Sequence, residues 1–152
     1  MNVAPESILI DCAGTYSGPG INHEEAAFTG LMTLAAGEGY VALEFSAVGA
    51  DGTLYHREES RIESRDGTSV LIVRSSNHPS AMEHELRYTE RTFAGARTYV
   101  FGHGDTEERD TFREEITLTF HENGDIGYDY AWGMPGGEFA DRSSARMAPP
   151  AT

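Results

Sequence analysis

The chain has 152 residues, 11 basic and 25 acidic side chains, a formal net charge of −14 and a pI near 4.6. So acidic a balance argues against nucleic acid or an anionic membrane as a partner held by general electrostatics. The single cysteine, Cys12, excludes an internal disulfide and a cysteine-based zinc cluster, and all basic residues being arginine excludes a Schiff-base or Walker-type lysine.

Length predicts one domain over 1–152. Hydrophobic residues make up 39% and mean hydropathy is −0.43. At this size folding buries roughly 68–70% of the unfolded surface, enough for a core without crosslinks. The stretch Met1 to Ile10 has no basic residue and only the short apolar patch Ile8-Leu9-Ile10. Asp11 before Cys12 is wrong for a lipoprotein cleavage site, and no apolar run reaches the roughly 18 residues of a membrane span. The expected location is cytoplasmic.

Alternating runs then follow one another to the end of the chain. Ten strands are predicted, at about 11–18, 27–35, 39–48, 53–64, 68–76, 81–93, 96–103, 111–121, 125–132 and 141–147. Between them stand Ala36-Gly37-Glu38-Gly39, Ala50-Asp51-Gly52, Arg65-Asp66-Gly67, Ala94-Gly95 and Asn123-Gly124-Asp125, turn sequences that supply positive φ to tight hairpins. Gly18-Pro19-Gly20 reads as a loop, the stretch from Pro19 to Ala27 as the place for a short helix, and Ala148 to Thr152 as a frayed end. The expected fold is all-β: an up-and-down antiparallel meander of about ten strands, closed into a barrel so that no edge is left exposed.

Period-two alternation assigns the inward faces. Met82, His84, Leu86 and Tyr88 form one; Phe112, Glu114, Ile116, Leu118 and Phe120 another; Ile126, Tyr128, Tyr130 and Trp132 a third. In the fourth strand Leu54, His56, Glu58, Ser60 and Ile62 are placed inward, because the opposite set is more charged. The interior therefore holds polar groups, which must be paired or watered. A barrel of ten strands is wide enough for a cavity that could hold water or a ligand.

Gly14-Thr15-Tyr16-Ser17-Gly18 opening the barrel, with Arg142 and Arg146 in its last strand, resembles the calycin pattern of lipocalins and fatty-acid-binding proteins. There a Gly-x-Trp packs against an arginine of the final strand; here Tyr16 takes the place of the Trp. The hairpin order is also similar to uncharacterised bacterial lipocalin-like domains and to nitrobindin-type haem barrels. The resemblance implies a calycin-like barrel with a pocket. Nitrobindin-like barrels carry their haem histidine late in the chain, and here no histidine follows His121. Fatty-acid-binding proteins grip a carboxylate with an Arg-x-Tyr pair, and here Arg146 is followed by Met147 and Ala148. Neither haem nor a fatty acid is expected.

Three kinds of chemistry remain to be weighed. His23, His84 and His121 each precede a glutamate, but none begins His-Glu-x-x-His, and a hydrogen-bonded interior is preferred to a metal site. There is no Gly-x-Ser-x-Gly, and Cys12 has no basic neighbour. Paired inward carboxylates leave acid–base catalysis open. The preferred reading is a ligand-binding site lined by His56, Glu58, His84, Glu114, Tyr128, Tyr130 and Trp132, for a small, largely apolar molecule that is neutral or cationic rather than anionic. No catalytic residue, metal or cofactor is assigned, and a homodimer is left open. The alternatives are a barrel enzyme using the inward His and Glu groups, and a structural or interaction module with a filled barrel.

Overall fold

A computed structural model describes residues 5–150, Ile10 by its backbone alone. Strands make up most of the described residues, and helix is confined to one short segment. A short helix α1 (Pro5–Asp11) precedes ten strands: β1 (Gly14–Ile21), β2 (Ala27–Ala36), β3 (Tyr40–Gly49), β4 (Leu54–Arg65), β5 (Thr68–Ser75), β6 (Met82–Arg91), β7 (Arg97–His103), β8 (Arg113–Phe120), β9 (Ile126–Gly133) and β10 (Ala140–Met147). Each strand pairs antiparallel with the next, and β1 pairs with β10, so the meander closes into a barrel. No helix among the described residues is long and apolar enough to cross a membrane.

The hairpins form where the turn residues stand. Gly52 and Gly124 hold φ of 86° and 96°, a region open to glycine without steric penalty. The turn carbonyls and amides are tied locally: Asp51 Oδ1 accepts from the Thr53 amide and Asn123 Oδ1 from that of Asp125.

The two ends of the barrel differ. At one end α1 lies across β2, β3 and β4, with Ser69 donating to Glu6 at 2.8 Å and Leu9 fully buried. Beneath it lies the dry half of the core, including Leu34, Val41, Leu43, Ile62, Leu71, Tyr99, Leu118 and Ile126. The other end, where β1 runs into β2 and β9 into β10, is open.

Several expectations need correction. The helix is α1, not the stretch from Pro19 to Ala27; seven residues are too few to show a 3.6-residue period. The predicted first strand starts late, at Gly14, and runs through Gly18-Pro19-Gly20, which is strand rather than loop. A Cβ on Gly18 would overlap the Arg146 carbonyl oxygen, so glycine is there for close approach across the β1–β10 seam. Leu54 and Tyr88 do not face inward: they are 55% and 51% exposed. Each lies beside a register shift, between Ala47 and Val48 in the β3–β4 pair and between Leu86 and Tyr88 in the β6–β7 pair. An extra residue in one strand flips the parity of everything beyond it. Ala148 does not fray: its backbone exchanges hydrogen bonds with Ser17 at 2.8 and 3.0 Å. Pro149 and Pro150 are exposed and outside any strand, and Ala151 and Thr152 lie outside the described residues.

Candidate functional site

The open end leads into a cavity of about 330 Å³. Its apolar wall carries Phe28, Phe45, Val73, Met82, Phe112 and Trp132, from six places along the meander. The rings meet edge to face or tilted, Tyr130 against Trp132 at 6.4 Å and Phe28 against Phe45 at 6.3 Å between centroids.

The polar groups form two clusters. On β4 the Glu58 carboxylate is fully buried and accepts three hydrogen bonds. They come from Tyr128 Oη at 2.8 Å, from the Tyr130 hydroxyl and from His56 Nε2 at 3.0 Å. Burial, reinforced by the Glu58 charge, pushes both tyrosines well above their usual pKa of 10.0, so they stay donors. Burial alone would lower the His56 pKa, but the Glu58 hydrogen bond and charge, the Asn77 contact and the Glu114 charge outweigh it and hold it above 6.5. The Asn77 amide meets His56 Nδ1 at 2.9 Å.

In the second cluster His84 of β6, fully buried, donates from Nε2 to Glu114 Oε1 of β8 at 2.8 Å. His84 Nδ1 is buried and has no hydrogen-bond partner. Phe112 and His103 extend the cluster, with His103 at 5.8 Å from the His84 ring and 6.3 Å from that of Phe112. Among the described residues no three His, Cys, Asp or Glu side chains converge as metal ligands would.

Of the seven residues expected to line the site, His56, His84, Glu114, Tyr130 and Trp132 reach the cavity wall. Glu58 and Tyr128 stand behind it, joined to Tyr130 by hydrogen bonds. Asn22, His23, Tyr55, Asn77 and His78 also line the cavity and were not expected there. They sit in loops or beside a strand shift, where period two carries no information. Phe45 and Ala47 were legible, because Val41, Leu43, Phe45 and Ala47 alternate along β3.

Arg113 was placed on the outward face and does point out of the barrel, yet it is only 1% exposed. Its guanidinium donates to the carbonyls of Thr111, Met134 and Gly137 at 3.2, 2.9 and 2.5 Å. It thereby ties the β7–β8 and β9–β10 connections together beside the mouth. In the last strand Arg146 pairs with Asp125 at 2.9 Å and Arg142 donates to the Trp132 carbonyl at 3.1 Å, while Tyr16 donates to the Cys12 carbonyl.

No family model matches the chain, and no curated protein matches it. Eleven chains of known structure do. One is the crystal structure of Rv2717c from M. tuberculosis, which superposes with a TM-score of 0.72 at 13% identity, over 99% of this chain and 100% of that one. At that identity the likeness shows a shared barrel fold alone.

Proposed function

We propose that this chain is a calycin-like barrel that binds a small, largely apolar molecule at its open end. The observation that carries the reading is the cavity itself: about 330 Å³, walled by aromatic rings and floored by polar groups already fixed by hydrogen bonds. That volume lies at the lower end of the range for small-molecule sites, and an apolar wall with a few placed polar groups is their usual composition. The open cavity favours this reading over that of a filled structural module.

A titration tests this directly, because Trp132, the chain's sole tryptophan, lies on the cavity wall. An environment-sensitive hydrophobic dye should bind one-to-one and quench Trp132 emission. Ala47→Phe, which fills the cavity from β3, should abolish that binding in a folded protein. Dye binding that survives Ala47→Phe unchanged, or no binding to the wild type, would refute the reading.

The His84–Glu114 pair favours a second reading, an acid–base enzyme, because a carboxylate that orients an imidazole is what such chemistry needs. Turnover of a bound compound, lost in a His84→Gln variant that still binds the dye, would replace the first reading with this one.

A further inference from the structure

The charges around the cavity are unbalanced, and this rests on the binding reading just given. Cationic groups are scarce inside. The chain has no lysine, and no arginine lines the cavity. The arginines with carboxylate partners among the described residues are on the outer surface: Arg57 with Glu59, Arg61 with Glu63, Arg65 with Glu63 and Glu83, Arg87 with Glu115 and Arg146 with Asp125. The acids inside number two, and their surroundings differ. Glu58 is saturated by three donors, from His56, Tyr128 and Tyr130.

Glu114 has one donor where Glu58 has three. It is 6% exposed, and its hydrogen bond comes from His84. His84 Nδ1 is buried with no hydrogen-bond partner, so the pair is joined by the single hydrogen bond from Nε2 to Glu114 Oε1. Among the described residues no hydrogen bond reaches Glu114 Oε2. A largely buried carboxylate with a single donor is under-satisfied, and a ligand that brings a second donor and a positive charge recovers that energy. The same cavity is lined by the rings of Phe45, Phe112, Tyr130 and Trp132, and aromatic faces attract cations. The connection Gly104 to Asp110 at the mouth and the overall charge of −14 draw cations inward from solution.

We infer that the cavity is a site for an organic cation, a protonated amine on a compact apolar or aromatic body, with Glu114 as its counter-ion. The ammonium donates to Oε2, and the body occupies the aromatic wall. An anionic ligand finds no arginine on the cavity wall and meets the Glu114 carboxylate.

Three probes of nearly equal shape test it on the full chain near neutral pH, read by Trp132 emission: 2-phenylethylammonium, propylbenzene and 3-phenylpropanoate. The ammonium should bind about tenfold tighter than either of the others. Glu114→Gln should bring it level with propylbenzene, while Glu115→Gln, on the outer face, should leave the order unchanged. Propylbenzene equal to or tighter than the ammonium overturns the inference, as does a preference for the anion. If the dye and propylbenzene bind but charge makes no difference, the cation fails and the binding reading stands; if no probe and no dye binds, both fail. Should Glu114→Gln not fold, the wild-type ranking decides alone.

Discussion

Glu58 shows how much of this barrel hangs on single side chains. It is wholly buried, and Tyr128, Tyr130 and His56 all donate to it. A leucine there keeps the volume but leaves three donors with nothing to accept from. Each buried unsatisfied group costs about 1–3 kcal/mol, so Glu58→Leu should lower stability by at least about 2 kcal/mol in urea unfolding. Glu59, its neighbour, is exposed and meets an exposed Arg57, so Glu59→Leu should stay within about 0.5 kcal/mol. The reverse order would mean that β4 runs in the opposite register. His56 adds a pH dependence. Its folded-state pKa is raised above 6.5, the value it has when unfolded. Its stabilisation is therefore complete below about pH 6.5 and is lost as pH rises through the folded-state value. The thermal midpoint should fall between about pH 6 and pH 8.5, below the range where Cys12, raised by burial above 9.0, ionises. His56→Asn should flatten that slope; an unchanged slope in the variant would assign it to another group.

Among the elements, β1 is where the barrel closes and where sequence patterns read worst. Its seam with β10 consists of the pairs Gly20–Ala145 and Ile21–Ser144 and the bridge Ser17–Ala148. Gly18 lets the Arg146 carbonyl come close, and that neighbour is backbone, which cannot swing aside. Gly18→Ala should therefore destabilise by about 2–3 kcal/mol, the range of overpacking. Gly30, opposite Gly18 on β2, would place a new Cβ 3.1 Å from the end of the Met147 side chain, which can shift. Gly30→Ala should stay within about 1 kcal/mol, and equal losses at the two sites would show that the seam is not what Gly18 protects. The rest of the meander was legible for a simple reason. Turn glycines and alternation are local signals, and most of β2 to β10 carries them. What escaped is not local. A glycine pair read as a loop is a close approach to a strand more than a hundred residues away. The inward parity of Tyr88 and Leu54 is undone by shifts in their pairing, which alternation does not register. The site was legible where strands supply it, as with His84, Glu114 and Tyr130, and not where loops do, as with His23 and His78. Arg113 escaped because only folding brings the carbonyls of two distant connections around it.

Across the whole molecule the barrel is one sheet wrapped around two interiors of opposite character. The half under α1 is dry, packed with aliphatic and aromatic side chains, and closed by Leu9. The half at the open end carries the polar clusters and the cavity. Stability and recognition are thus drawn from different ends of the same strands, and a change at one should leave the other nearly intact. Leu9→Ala tests this separation. It removes a fully buried side chain from the plug, which costs about 2–5 kcal/mol depending on how far the neighbours collapse into the gap. The urea midpoint should fall accordingly. Under native conditions, where the variant is still folded, dye affinity read by Trp132 should stay within about twofold of wild type, since Leu9 is not part of the cavity wall. Ala47→Phe should do the opposite, removing dye binding with little loss of stability, because its ring enters the cavity rather than the packed half of the core. Combined, the two changes should add, as changes without shared partners do. A Leu9→Ala protein that binds dye much more weakly, or takes a second dye molecule tightly, would show that the two interiors communicate and that the plug helps to shape the cavity.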